Sequence, residues 1–439
     1  MIAVQPVTVP SGLNPVYRLY VGLDLLHFTG RLSALNHHNY FVFWSGSFAS
    51  VGATQLQIMA QGWLLFELTE STIALGYLGA AASIPAIIMT LYGGAIADRL
   101  NKKHVLMATS LAVAALLISL AVLDASALVR PWHVILVAGL ISFTSGFDWP
   151  TRQAILPALI DRQDMMSAVA LNSIIWQSCR MVMPAIGGII IALVDTWLVF
   201  LLCSIGFLIM FAVIAGLKVS LPALAISNSA THQVKEGLLF ILHNRIFLLL
   251  ISLSYAAMFF GMAHIQLMPA FTALLETNEQ GYGFLISATG IGSVLGTIIV
   301  GNFQHSKQLG AIILASTATS GIMIYMFALV TAFATELSIA FELAVLFATL
   351  ASMFASMFLI STMTVLQLRV PDELRGRVMG FHGITFSLMA LGGLLAGWIA
   401  SFSSAPVAVA TGITVYLAII IWVAISQREI RSISAQTPA

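Results

Sequence analysis

Apolar runs about as long as a bilayer is thick recur along the whole chain, separated by short polar stretches. They lie at about residues 40–66, 73–97, 105–127, 131–148, 165–193 and 196–217, and again at about 246–272, 281–303, 309–332, 338–368, 376–402 and 406–426. At ~1.5 Å per helical residue, runs of this length cross ~30 Å of hydrocarbon. The pattern predicts an all-α integral membrane protein of about twelve transmembrane helices in two six-helix bundles. Its expected divisions are an extension over residues 1–36, bundles over 37–218 and 246–427, a linker over 219–245 and a tail over 428–439. Within the linker, HQVKEGLLFILHNR places Leu238, Leu239 and Leu242 on one helical face.

Composition and charge turn this pattern into a topology. The 439 residues are 59% hydrophobic and 8% charged, where a soluble domain carries roughly a quarter charged residues. Arg130 and Arg180 excepted, all of the 18 lysines and arginines fall in segments that twelve spans place on one face, beginning with Arg99, Lys102 and Lys103. Short basic loops stay in the cytoplasm, so both termini are expected on the cytoplasmic side of the cell (inner) membrane. An error of one span in the first half would scatter these charges over both faces. Residues 1–36, with Pro6, Pro10 and Pro15, read as a cytoplasmic extension, either an interfacial helix or a disordered leader, and are too polar for a signal peptide.

Candidate chemistry inside the membrane is sparse. Arg180 is the one basic side chain within a span, and an intramembrane charge is costly enough to imply a function. It shares a helical face with Asn172, Trp176, Met183 and Gly187. Two readings stay open: Arg180 attracts an anionic or phenolate substrate, or it caps backbone carbonyls or pairs with Asp148. No acid lies in the middle of a span, Asp148 and Glu342 being near span ends. Cys179 and Cys203 sit in apolar runs and offer no disulfide framework. The absence of a GxxxxGK loop excludes a self-contained ATP-driven pump. No cluster of His, Cys and carboxylates marks a metal, no Ser/His/Asp grouping an enzyme, and no cofactor or nucleic-acid partner is expected.

The halves echo each other. WPTRQAILPALIDRQD before the fifth span and LQLRVPDELRGRV before the eleventh are basic, proline-containing connections. They lead into spans carrying Gly187-Gly188 and Gly392-Gly393. A parallel repeat of this kind places a substrate site near the midplane between its halves.

Several stretches together resemble one family. GGAIADRLNKK, with Gly94, Asp98, Arg99, Lys102 and Lys103, is similar to the loop between the second and third helices of the major facilitator superfamily, with Asn101 where a glycine is usual. YFVFWSGSFAS, GWLLFELTESTIALG, PTRQAILPALI, ALNSIIWQSCRMVMPAIGG and LQLRVPDELRGRVMG narrow the resemblance to the branch of enterobactin exporters and macrolide and multidrug effluxers. The resemblance implies a cytoplasmic gate of Gly94, Asp98, Arg99, Lys102 and Lys103. Asp98 would face the eleventh span's start at Arg375, Gly376 and Arg377, and Arg99 would meet Asp148. Asn101 would supply the left-handed conformation of the missing glycine. MPAIGG, Met183 followed by Pro184 to Gly188, resembles the antiporter signature of exporters, with Met183 where glycine is usual. The first, fourth, seventh and tenth spans would line a soft, weakly polar cavity, offering Gln57, Gln61, Tyr255, Met262, Gln266, Met357 and Gln367 beside Arg180.

The expectation is a monomeric secondary transporter, not an enzyme. It would export hydrophobic or amphipathic small molecules, drug-like or siderophore-like, by alternating access in exchange for protons. Asp148, His264 and Glu342 are the candidates for coupling. The alternatives are an importer or lysophospholipid flippase of the same fold, and a channel or non-transporting receptor.

Overall fold

The computed structural model describes residues 33–97, 101–217, 230–303 and 308–427, together with Ile430 and Ile433. The first half holds α1 (His38–Thr69), α2 (Thr72–Ala97), α3 (Lys102–Ala125), α4 (Pro131–Ile155), α5 (Met165–Leu193) and α6 (Thr196–Gly216). A linker helix, α7 (Ala230–His243), follows. The second half opens with a broken span, in which α8 (Arg245–Ala256) passes through a π-helical turn at Ala257–Gly261 and a 3-10 turn at Met262–Ile265 into α9 (Met268–Leu274). It continues with α10 (Glu279–Gly301), α11 (Leu309–Ala332), α12 (Ala340–Arg369), α13 (Arg375–Ser401) and α14 (Ala405–Ser426).

Among the described residues, eleven helical segments are long and apolar enough to cross a membrane. The remaining span of the expected twelve is α1, whose 32 residues are long enough but interrupted by Ser47, Ser50, Thr54, Gln57 and Gln61. Its low apolarity has a structural reason, since much of α1 faces protein rather than lipid: Gln57 is 4% and Gln61 2% exposed.

Packing repeats between the halves. In the first, α2 lies on α4, α3 on α6 and α1 on α5; in the second, α10 lies on α12, α11 on α14 and the π-turn on α13. The bundles meet along two crossings, α2 with α13 and α5 with α10. Small residues permit the second. A Cβ added at Gly188 would collide with the Glu279 carbonyl, and one added at Gly290 would stand 2.7 Å from the Arg180 carbonyl. This close approach of backbones is the usual means of helix association where lipid supplies no hydrophobic drive.

One boundary differs from the sequence pattern in a way that moves a site residue. The fourth span was expected to end at about residue 148, but α4 runs on to Ile155 with Pro150 inside it. Asp148 therefore sits about two turns inside the helix. The polar stretch DWPTR is helical because Asp148 and Thr151 find partners within reach.

Candidate substrate pathway and gate

The connection between α2 and α3 ends in an ordered cap. Asn101 has φ −67° and accepts hydrogen bonds on its side chain from the amides of Lys103 and His104. It is thus the N-cap of α3, not the left-handed substitute for glycine that the motif implied. Gly94 lies in the last turns of α2, whereas Asp98 and Arg99 fall outside the described residues. Lys102 is buried. Lys103 reaches across to the end of α6, its Nζ donating to the carbonyls of Ala215 (2.9 Å) and Leu217 (2.7 Å). A cation capping free carbonyls complements a helix C-terminus.

Asp148 does not meet Arg180, and Arg99, its expected partner, lies outside the described residues. Its carboxylate accepts from Arg152 Nε at 2.5 Å, one turn on, and from Thr109 Oγ1 on α3 at 3.1 Å. Arg152 also donates to Ser50 Oγ on α1 at 3.1 Å. The group is a tie between α1, α3 and α4 near the basic end, made possible by the extra turns of α4. Arg375 pairs with Asp372 at 2.5 Å, while Arg377 pairs with Glu236 of the linker helix at 2.6 Å. The backbone of α7 comes close enough that a Cβ on Gly237 would stand 2.9 Å from Arg377 Cβ. Gly376 has open space beside it. The linker helix turns Leu238, Leu239 and Leu242 outward, and all three are exposed.

At the end remote from these charges the bundles are pressed together. Trp63 of α1 and Tyr282 of α10 stack with ring centroids 5.3 Å apart, and Tyr282 donates to the Met59 carbonyl at 3.3 Å. Gln266 donates to the Leu75 carbonyl at 3.1 Å, Thr72 to the Gly397 carbonyl at 3.2 Å, and the Ala185 amide to Ser287 at 2.9 Å. Toward the basic end, α4 and α12 form no extended contact among the described residues. Among the described residues, the seal at the remote mouth has no counterpart between α4 and α12 at the basic one.

The expected cavity residues divide accordingly. Gln57 and Gln61 are buried and hydrogen-bonded to each other; they stabilise α1 rather than line an open space. Gln266 is a strut between bundles. Met262 packs with Met258 and Ala355, and Tyr255 donates to the Phe381 carbonyl at 2.7 Å. Met357 is partly accessible and Gln367 exposed. Of the coupling candidates, His264 is 1% exposed, with Nδ1 3.0 Å from the Gly261 carbonyl and its ring against Phe327; it faces the core, not the pathway. Glu342 is exposed in the first turn of α12, at the closed end. Asp148 is the one that reaches a cross-helix network.

Two groupings escape a sequence reading. The Trp63–Tyr282 seal joins residues more than two hundred positions apart and carries no local signature. His37, Asp161 and Asp164 gather at the basic end, although nothing in their spacing predicts it. There Asp164 accepts from Ser33 at 2.5 Å and lies 2.8 Å from His37 Nε2, so the grouping fastens the start of α1 to the start of α5.

Residues 29–438 match the transmembrane secretion effector family. The chain belongs to this family of the major facilitator superfamily. Relatives of this transporter include a staphyloferrin A transporter of Staphylococcus aureus, 27% identical over 59% of this chain and 66% of its own length. The multidrug efflux pump Tap of Mycolicibacterium fortuitum is 23% identical over 78% of this chain and 84% of its own length. The enterobactin exporter of Escherichia coli is 24% identical over 84% of this chain and 92% of its own length. Among solved structures, a nucleoside transporter superposes with a TM-score of 0.72 at 14% identity, covering 89% of this chain and 99% of that one. A bacterial ferroportin homologue in an inward-facing state gives 0.68 at 13%, covering 88% and 98%. The fold is thus that of the major facilitator transporters, and the protein is a multi-pass membrane transporter.

Proposed function

We propose that this transporter exports amphipathic small molecules by alternating access, in exchange for protons. The observation that carries the reading is the asymmetry of the two mouths. One is sealed across the bundles by Trp63, Tyr282, Gln266 and Thr72, whereas beside the basic loops α4 and α12 form no extended contact among the described residues. With the basic end in the cytoplasm, this is the state that takes substrate from inside the cell. The relatives with printed cargo are a siderophore transporter, a siderophore exporter and a multidrug pump, which favours outward transport of organic cargo over import or lipid flipping.

Exchange requires the open mouth to close and the sealed one to part. At the basic mouth the work falls to the α2–α3 loop with Asp98 and Arg99, to the Asp148–Arg152 tie, and to Arg377 with its linker-helix partner. Breaking the Asp148–Arg152 pair would loosen α4 from α1 and α3, and so bias the two states. Everted membrane vesicles test the proposal. Of the amphipathic probes pyrene-1-butyrate and pyrene-1-butyramide, at least one is expected to accumulate when an acid-inside pH gradient is imposed and to leave when nigericin dissipates it; accumulation that ignores the gradient rules out proton exchange. Asp98→Asn is expected to insert normally and lose accumulation.

A further inference from the structure

Arg180 occupies the middle of α5, about 20 Å from either end at ~1.5 Å per residue. Among the described residues its guanidinium has no hydrogen-bond or ion-pair partner. The described carboxylates lie elsewhere: Asp148 is held by Arg152, and the others sit in connections, in the linker helix or in the terminal turns of spans. The side chain is nevertheless partly accessible, and none of its nitrogens is sealed away from solvent. An unpaired cation at this depth has to face water or ligand, because hydrocarbon would impose a severe desolvation cost.

Its direction follows from its neighbours at 100° per residue. Val182, Ile186, Ile189 and Leu193 are exposed on the opposite side of the helix, where lipid lies. On one flank of Arg180, Met183 lies against Gly52, and Gly187 against Leu56 and Met59, all on α1. On the other flank, Gln177 donates to Thr297 of α10 at 3.3 Å, and Gly188 meets Glu279. Arg180 therefore points into the gap between α1 of one bundle and α10 of the other. Along that same stripe toward the basic end, Ser173, Val169 and Met166 are exposed, Met166 to 82%. Toward the other end the stripe is shut at Gly187. Trp176, one turn from Arg180 toward the open mouth, stacks edge-on with Trp149 at 5.4 Å.

We infer that Arg180 is the anion-binding point at the blind end of the pathway, and that the substrates are organic anions with an aromatic or apolar body. The acidic group replaces the missing carboxylate partner of Arg180, forming charge-assisted hydrogen bonds that a neutral analogue cannot. The body lies back along Trp176 toward the basic mouth. The inference rests on the reading that the gap between bundles is the transport pathway, and it adds the charge class of the cargo.

The test is binding to the full-length protein in nanodiscs, read by energy transfer from tryptophan to pyrene, with pyrene-1-butyrate and its neutral isostere pyrene-1-butyramide as probes. The native protein is expected to prefer the anion roughly tenfold or more. Arg180→Gln should abolish the preference, and Arg180→Lys should retain part of it. Size-exclusion profile and thermal unfolding establish that each variant is folded. Equal binding of the two probes by the native protein, or an unchanged preference in Arg180→Gln, overturns the inference. Flux of either pyrene probe by the native protein separates the two failures. Flux without an anion preference removes only this inference, while an Arg180-dependent preference without flux removes the export reading and leaves the anion site standing.

Discussion

The phenolic hydroxyl of Tyr282 donates to the backbone carbonyl of Met59 at 3.3 Å, fastening the start of α10 in one bundle to α1 in the other. The bond is sheltered, since Tyr282 is 3% exposed and stacks on Trp63. Under the proposed alternating-access reading it would hold only while this mouth is shut, and so contribute to the balance between states rather than to the stability of either bundle alone.

Tyr282→Phe keeps the ring stack and deletes the bond. A net hydrogen bond is worth about 1 kcal/mol, so the closed population at this mouth should fall about fivefold relative to the open one. Spin labels on the ends of α1 and α10, measured by double electron–electron resonance, should report a larger share of long distances. An unchanged distribution means the bond does not hold the mouth.

Gly188→Leu attacks the same closure from the α5 side. Its side chain would meet the Glu279 carbonyl, which already leaves no room for a Cβ. The variant should insert and yet fail to shut this mouth, losing accumulation in everted vesicles almost completely. Native-like flux would show that α5 and α10 separate there without cost.

Asp148→Asn leaves Arg152, at 13% side-chain exposure, with only Ser50 as its described partner. Removing one member of a largely buried pair is costly, here about 1–3 kcal/mol because the site is partly wet. A thermal unfolding midpoint lower by several degrees is expected, together with loss of accumulation. Arg152→Gln in the same chain should restore much of the stability but not the transport. If the double variant is no more stable than Asp148→Asn, the tie is not coupled.

Asn101→Ala removes the cap of α3 and should cost about 1 kcal/mol, measurable as a lower unfolding midpoint. Lys103→Met should add to it by freeing the carbonyls of Ala215 and Leu217. Asn101→Gly should lose much less, because glycine is a tolerated N-cap. A glycine variant as unstable as the alanine one would contradict the capping role.

Legibility in the sequence tracked how local each property is. The linker helix could be read from HQVKEGLLFILHNR because amphipathic spacing is a property of one segment. The break at Ala257–Gly261 could not, because the run over 246–272 is uniformly apolar and the π-turn answers to packing against α13 and α14. Gln57 and Gln61 were expected in a cavity because the family resemblance lines it with the first span, yet each finds its partner one turn away on α1. Glu342 and His264 were singled out as rare titratable groups, and the fold turned one to the closed end and the other into the core.

By itself the sequence determined the helical membrane class, the number of spans to within the polar first one, the basic face and the presence of an isolated charge at Arg180. Each follows from hydropathy or charge summed over a single span or loop, so no knowledge of neighbours is needed. Only the tertiary structure decided that Asp148 answers Arg152, that Trp63 and Tyr282 shut one mouth, and that Arg180 looks into the gap between α1 and α10. Those outcomes depend on how each helix is rotated against partners far away in the chain, and that rotation is set by the fit of glycine stripes and side chains across the whole assembly.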